Sequence, residues 1–204
     1  MLPAGRVLRR VPRLLLGLVL FGFGLGMVVL GGYGLPGWDV FHQGLAERTP
    51  LTIGTAMIVI GVVLLIVMLV LHEPIGVGTL ANVVVIGLVL DATLWLIDAP
   101  VNTAARVLLT LTGPIVVAIG SGYYIGVRLG PGPRDGLMTA LDRRGVTLWK
   151  ARFGIEAVAL SGGVLLGGTA GWGTVWFLVA IGPAVQFFLR YLSVPLEPGE
   201  RVPA

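Results

Sequence analysis

The stretch GWDVFHQGLAERT, residues 37–49, is one of the few polar segments in a chain made mostly of Leu, Val, Gly and Ile. A second polar segment of similar pattern, PRDGLMTALDRRG, occupies residues 133–145. Gly and Pro precede both segments and predict a break in the apolar run before each of them. The recurrence of this pattern in so apolar a chain indicates that a larger unit is repeated.

The composition indicates a membrane protein. Of the 204 residues, 56% are hydrophobic and only 12% are charged, and the mean hydropathy is +0.96. A soluble domain usually has about 25% charged residues. The length accommodates a single integral membrane domain, residues 1–204, with about six spans of about 20 residues each. The lipid bilayer is therefore the first predicted partner.

Six apolar runs lie between the polar segments. Each is close to the length that crosses about 30 Å of hydrocarbon, although the fifth is short. Backbone groups inside a bilayer must form hydrogen bonds within their own segment, so the runs are predicted to be α-helices. The predicted fold is an all-α polytopic membrane bundle, with spans at residues 14–31, 53–71, 79–97, 107–127, 153–168 and 174–192.

The repeat becomes visible when the chain is shifted by 96 residues, which places Asp39 on Asp135 within the two polar segments. After a slip of one residue, the sequence GVGT at 76–79 falls on GWGT at 171–174. Matched Asp and Thr in one register are harder to obtain by chance than matched Gly or Leu. The chain is therefore predicted to hold two copies of one three-span unit, at about residues 11–98 and 107–193.

An odd number of spans in each copy predicts that the second copy is inverted in the membrane. The basic residues support this topology, since a cytoplasmic N-terminus places twelve of them inside and only Arg48 and Arg106 outside. Both termini are then cytoplasmic, with residues 37–49 outside and 133–145 inside. The inner basic residues are Arg6, Arg9, Arg10, Arg13, Arg128, Arg134, Arg143, Arg144, Lys150, Arg152, Arg190 and Arg201.

Each polar segment predicts a helix of about 10–12 residues, or about 15–18 Å, which is too short to span a bilayer. Two interpretations are open: an amphipathic helix at the interface, or a re-entrant or gating element. In the first, Asp39 and Asp135 accept hydrogen bonds from free backbone N–H groups at the helix start. In the second, they meet a cation among Arg48, Arg134 and Arg144. The apolar face predicted for the first helix holds Val40, Phe41, Gly44 and Leu45, with His42 on the opposite face.

The repeated G-x-G-T sequences also have two interpretations. One is a helix break whose backbone faces a ligand, and the other is a tight turn whose Thr caps the next span. The tight turn is favoured, because a lone G-x-G-T is a weak motif. The residues concerned are Gly76, Gly78, Thr79, Gly171, Gly173 and Thr174. Further glycines are predicted to allow close helix packing, namely Gly24, Gly26, Gly120 and Gly122.

Polar residues within the apolar runs are the sharper candidates for a ligand site, because charges at membrane depth are costly and usually face a cavity or a partner. Asp91 and Gln186 occupy equivalent positions of the two copies. Glu156 also has a simpler explanation in Arg152, one helical turn away. The predicted substrate-binding or gating residues are Trp38, Asp39, His42, Asn82, Asp91, Arg134, Asp135, Glu156 and Gln186.

Four stretches of the chain together resemble the YczE/YyaS/YitT family of bacterial integral membrane proteins, and its YczE-type members most closely. The similarity covers about residues 14–193. It implies a multi-pass protein of the bacterial inner membrane and brings no agreed substrate or catalytic residues. The stretches are GLPGWDVFHQGLAERTPLTIGT (34–55), GVGTLANVVVIGLVLD (76–91), RLGPGPRDGLMTALDRRGVTLWKAR (128–152) and GWGTVWFLVAIGPAVQFFL (171–189).

The sequence does not predict an enzyme. Its two histidines, His42 and His72, are assigned to opposite sides of the membrane. The motifs H-E-x-x-H and G-x-S-x-G are absent, and the lack of Cys excludes thiolate metal sites. We therefore expect no catalytic residues, no metal and no cofactor. Because topology accounts for the net charge of +4, no nucleic-acid partner is expected either.

Two classes of function remain open. The favoured one is a small-molecule transporter or exporter, because inverted three-span repeats are common among transporters and bind their ligands where the halves meet. The alternative is a membrane-embedded accessory or scaffold protein without transport activity. The sequence determines neither the substrate, the direction of transport and the coupling ion nor the oligomeric state, and it leaves a homo-oligomer open.

Overall fold

A computed structural model describes residues 4–195, and these form eight α-helices. Each half of the chain has one long helix, one short helix and two further long helices. The last predicted inner basic residue, Arg201, lies outside the described residues. The helices are α1 (Ala4–Gly31), α2 (Gly37–Arg48), α3 (Ile53–Val70), α4 (Val77–Leu96), α5 (Thr103–Gly126), α6 (Pro133–Asp142), α7 (Leu148–Leu166) and α8 (Trp172–Leu192).

Five of the helices are long and apolar enough to cross a membrane, namely α1, α3, α4, α5 and α8. They confirm five of the six predicted spans. The sixth, α7, has 19 residues but carries Lys150, Arg152 and Glu156 in its first half, so its apolar part is short. The protein is an all-α polytopic membrane bundle. α7 is long enough to cross a membrane but is not apolar enough over its full length.

The antiparallel pair of α1 and α5 forms the centre of the bundle. A Cβ atom added at Gly17 would lie 2.7 Å from the carbonyl oxygen of Gly120, and one added at Gly24 would lie 3.0 Å from that of Gly113. Gly17 is equivalent to Gly113 in the repeat, and Gly24 to Gly120. The contact of a glycine in α1 with a glycine in α5 therefore occurs twice, at equivalent positions of the two halves. Only glycine permits the two backbones to approach this closely.

The predicted packing glycines are confirmed. Gly26 of α1 lies against Thr93 of α4, and its equivalent Gly122 of α5 lies against Phe188 of α8. Phe188 in turn occupies the position equivalent to Thr93. The outer helices α4 and α8 are thus attached to α1 and α5 by matching contacts.

The short helices pack across the boundary between the halves, since α2 lies along α7 and α6 lies along α3. The remaining long helices are arranged less symmetrically. α3 packs closely on α4, where a Cβ added at Gly54 would overlap the carbonyl oxygen of Gly87. Among the described residues, no comparable packing joins α7 to α8. In the first half α3 and α4 are therefore in close contact, whereas their counterparts α7 and α8 in the second half are not.

The tight-turn interpretation of the G-x-G-T sequences is confirmed. The backbone N–H of Gly76 donates to Oγ1 of Thr79 over 3.2 Å, and that of Gly171 donates to Oγ1 of Thr174 over 3.1 Å. Each Thr thereby satisfies one of the free backbone donors at the start of its helix. These residues begin α4 and α8 and do not line a ligand cavity.

The loops that follow α1 and α5 pack on these two helix starts. The carbonyl oxygen of Tyr33 accepts a hydrogen bond from the N–H of Gly173, and that of Leu129 accepts from the N–H of Gly78, each over 2.8 Å. The loops turn through Gly34 and Gly130, whose φ angles of 113° and 127° favour glycine. The turns therefore join each loop to a helix of the opposite half.

We expect Gly120→Ala to destabilise the protein, because the added Cβ would lie 2.6 Å from two backbone atoms of α1. The expected cost is about 1–3 kcal/mol, as for other overpacked interiors. Gly182→Ala in α8 is the matched control, since a Cβ there meets nothing within 4 Å. Thermal unfolding of the purified protein in detergent measures both. Equal melting temperatures for the two variants would contradict the close contact of α1 with α5.

Candidate functional site

A cavity of about 860 Å³ lies between the two halves, and all eight helices contribute to its lining. This volume is typical of small-molecule sites, and most of the lining is apolar with a few polar groups, as in such sites. Of the nine predicted site residues, seven line it: Trp38, His42, Asn82, Arg134, Asp135, Glu156 and Gln186.

The first turns of α2 and α6 meet in this cavity. The guanidinium of Arg134 lies 3.7 Å from the carboxylate of Asp39 and 4.9 Å from the ring centre of Trp38. Arg134 and Asp39 belong to polar segments that were predicted on opposite sides of the membrane, and their contact is one that the gating interpretation allowed. α2 begins beside the middle of α7, where a Cβ on Gly37 would lie 3.7 Å from Leu160.

The far ends of the short helices stay apart. Arg48 at the end of α2 donates to the carbonyl oxygen of Leu166 at the end of α7. Arg144, just after α6, donates to the carbonyl oxygen of Leu71 and pairs with the buried carboxylate of Glu73. α3 runs from the end of α2 to the end of α6, so its length separates the contacts of Arg48 from those of Arg144. This geometry favours re-entrant helices over helices lying flat at an interface.

Asp39 forms a buried side-chain cluster and not a helix cap. Its side chain is almost fully buried, and its carboxylate lies 3.1 Å from Nδ1 of His42 as well as facing Arg134. His42 was predicted on the exposed face of α2, but it is 1% exposed because it turns towards this carboxylate. Burial lowers the pKa of His42, and its hydrogen bond to Asp39 acts in the opposite direction.

Asp135, the repeat equivalent of Asp39, has different surroundings. Within residues 4–195 its carboxylate forms neither a hydrogen bond nor an ion pair, and it is exposed to the cavity. Its Oδ2 lies beside Gly132, together with Oη of Tyr124 and Nδ2 of Asn82. Tyr124 is 2% exposed, and its hydroxyl has no hydrogen-bond partner of good geometry in the described part of the chain. Buried polar groups are normally hydrogen-bonded, so this polar cluster is incomplete.

Glu156 pairs with Arg152 over 3.1 Å, which confirms the simpler explanation offered by the sequence. Both residues also line the cavity, on the side of α7 that faces α8. The pair is partly exposed, the side chain of Arg152 more than that of Glu156. Its two charges therefore lie at the edge of the cavity and are not buried in the protein interior.

Asp91 does not reach the cavity, which corrects its selection as a lining candidate. Its carboxylate accepts hydrogen bonds from the N–H of Gly54, over 2.8 Å, and from the hydroxyl of Thr52. The free N–H groups at the start of α3 attract it, because α3 packs closely on α4. Its equivalent Gln186 has no helix start beside it, since α7 stands away from α8, and it faces the cavity instead.

Tyr124 is the site residue that the sequence analysis missed. It follows Tyr123 in the sequence GSGYYIG, close to the predicted inner end of a span. Tyrosine is common at membrane interfaces, so its position in the sequence gives no specific signal of a ligand site. The three glycines in GSGYYIG were a usable signal, because they allow α1 and the end of α8 to approach α5 beside the tyrosine.

The comparisons with known proteins assign the chain to a family. A family model described as a family of unknown function, DUF6198, matches residues 8–190. The chain belongs to this family. An uncharacterized protein of Haemophilus influenzae is 36% identical over 190 residues, which cover 92% of this chain and 87% of that protein.

A further relative confirms the resemblance noted from the sequence motifs. The uncharacterized membrane protein YczE of Bacillus subtilis is 29% identical over 176 residues, covering 85% of this chain and 82% of that protein. No solved structure matches the chain. The DUF6198 protein described here is therefore a membrane protein similar to YczE, and both of these relatives are described as uncharacterized.

The equivalent carboxylates Asp39 and Asp135 are expected to respond differently to the same change. Asp39→Asn removes the charge beside Arg134 and should cost about 1–3 kcal/mol, less than a fully buried pair because Arg134 is partly exposed. Asp135→Asn should change stability by less than about 0.5 kcal/mol, because no partner is lost. Thermal unfolding compares the two variants directly. Unchanged stability of both variants would indicate that both residues act as helix caps, since Asn caps a helix about as well as Asp.

Proposed function

We propose that this DUF6198 protein is a small-molecule transporter of the bacterial inner membrane, and that its ligand binds in the cavity between the halves. The observation that carries the proposal is the meeting of α2 and α6 in a cavity that both halves line with polar groups. Transporters with inverted repeats hold their ligands at such a place, beside the ends of interrupted helices. The likeness of architecture gives a transport class but no substrate.

We further propose that the two halves form an inverted repeat. The support is the antiparallel contact of α1 with α5, in which Gly17 meets Gly120 and Gly24 meets Gly113. A two-fold rotation that exchanges the helices would exchange Gly17 with Gly113 and Gly24 with Gly120. An axis that exchanges two antiparallel helices runs perpendicular to them. If both helices cross the bilayer, this axis lies in the membrane plane, as inverted repeats require.

The short helices are the elements we assign to gating. The contact of Asp39 with Arg134 holds the start of α2 against the start of α6. α2 packs on α7 and α6 packs on α3, so each short helix is attached to the opposite half. A relative movement of the halves would therefore separate the first turns of α2 and α6. Separation of these first turns would open the cavity where α2 and α6 now meet. The charge pair thus acts as a latch between the halves.

Labelling of single cysteines tests the topology, and the absence of native Cys makes the labelling specific. The exposed residues Glu47 and Asp142 lie in the two polar segments. We expect Glu47→Cys to react with a membrane-impermeant maleimide only from the outside, and Asp142→Cys only from the cytoplasmic side. Reaction of both from the same side would contradict the inverted topology.

Cysteine labelling also separates a transporter from an accessory protein. Ala157 lines the cavity from α7, and its replacement by Cys is small. A transporter that opens alternately predicts that Ala157→Cys reacts in both right-side-out and inside-out vesicles. The variants Glu47→Cys and Asp142→Cys, each reactive from one side, show that the vesicles are sealed. Reaction of Ala157→Cys from one side only would favour a scaffold with a fixed cavity.

A further inference from the structure

We propose that the cavity accepts a lipophilic cation, an organic cation with large apolar groups, which enters from the bilayer between α7 and α8. The proposal rests on the proposed function and names the chemical class of its ligand. Three observations support it: an opening towards the hydrocarbon, an apolar chamber of suitable size, and a cavity in which carboxylates outnumber arginines.

The opening results from large residues at positions where the first half has glycines. In the first half, Gly54 and Gly61 let α3 approach α4. Their equivalents in α7 are the larger residues Trp149 and Glu156, and α7 does not pack closely on α8. A Cβ added at Gly182 of α8, the equivalent of Gly87, would meet nothing within 4 Å. α7 and α8 therefore stand apart along the cavity.

This opening faces hydrocarbon and not water. α8 is an apolar helix of 21 residues, and only 17% of its most apolar window is buried inside the protein. The cavity lining continues to residues that face the opening, including Phe153 of α7 and Leu178 of α8. These side chains are apolar and largely exposed. A molecule dissolved in the bilayer can enter between them without crossing an aqueous surface.

The charges in the cavity favour a cation over an anion. Asp39 faces Arg134, and Glu156 faces Arg152, so both cations already have anionic partners. An entering anion would have to displace a carboxylate. Asp135 is attracted by both arginines but forms no contact ion pair among residues 4–195, so the three carboxylates Asp39, Asp135 and Glu156 face only two arginines here. A charge at membrane depth is costly until it is paired, so Asp135 offers a cation a favourable partner.

The polar cluster around Asp135 adds directional groups. The hydroxyl of Tyr124 and the amide of Asn82 lie beside Oδ2 of Asp135 around Gly132, and the hydroxyl lacks a partner of good geometry. The remaining walls are mostly apolar and enclose about 860 Å³, enough for a drug-sized molecule. The ligand would place its charge near Asp135 and its apolar groups towards α8.

Two ions of equal shape and opposite charge test the proposal. Purified full-length protein in phosphatidylcholine nanodiscs is titrated with tetraphenylphosphonium and with tetraphenylborate. We expect the cation to bind at least about tenfold more tightly than the anion, a difference of about 1.4 kcal/mol. Stronger binding of tetraphenylborate, or binding of neither ion, would overturn the proposal.

Variants then locate the site. Asp135→Asn should weaken tetraphenylphosphonium binding about tenfold or more. Asp91→Asn is the matched control, since this carboxylate caps α3 outside the cavity, and it should leave the affinity within about twofold. Melting temperatures identify any variant that fails to fold. Unchanged binding by a folded Asp135→Asn protein would contradict the assigned site.

A second pair of variants tests the route of entry. Gly182→Trp should fill the opening between α7 and α8 and reduce tetraphenylphosphonium binding or slow it strongly. Gly154→Trp is the control, because Gly154 also has nothing within 4 Å of an added Cβ but lines a separate groove of α7. Equal binding by both variants would contradict entry between these helices.

The outcomes distinguish this inference from the proposed transport function. If Ala157→Cys is labelled from both sides but tetraphenylphosphonium does not bind, the ligand class is wrong and transport stands. If tetraphenylphosphonium binds at Asp135 but Ala157→Cys reacts from one side only, the ligand site stands and transport is wrong.

Discussion

Glycine allows the backbones of α1 and α5 to touch, and the positions of the other helices depend on this contact. The antiparallel pair presents matching sides, on which α4 and α8 pack. The loops after α1 and α5 then reach the starts of α8 and α4, where their carbonyl groups accept hydrogen bonds from the first turns. Helices in a bilayer gain little from the hydrophobic effect between them, so close packing of small residues has to supply the attraction.

The loops also determine where the short helices begin. Each turns at a glycine with positive φ, and α2 and α6 start within the bundle and not at its surface. Two helix starts carry partial positive charge, and each has an aspartate in its first turn. Asp39 and Asp135 therefore have the same local role in the electrostatics of their helices. They differ in their neighbours from other helices.

The difference between the halves gives the protein an opening that a strictly symmetric repeat would not have. The two halves have the same order of long and short helices, but glycines in α3 correspond to Trp149 and Glu156 in α7. Close packing of α3 on α4 also draws Asp91 into a capping role. Without such packing, Gln186 remains beside the cavity. The different packing of the two helix pairs thus separates a structural carboxylate from a cavity amide at equivalent positions.

The sequence by itself determined the membrane class, the helical fold, five spans and the tight turns before α4 and α8. These features depend on hydropathy over about 20 residues or on motifs of a few residues, and neighbours in space change them little. It also indicated seven of the residues that line the cavity, because polar side chains are rare in apolar spans and stand out.

Only the tertiary structure decided which of these residues meet. Asp39 pairs with Arg134, whereas Asp135 has no ion pair in the described chain, although both follow the same local pattern. Their sequence environments are alike, and their partners come from helices distant in the chain. The same reason explains why Tyr124 was missed and why Asp91 was misplaced. The cost of a polar group inside a membrane depends on what lies against it, and packing alone determines that contact.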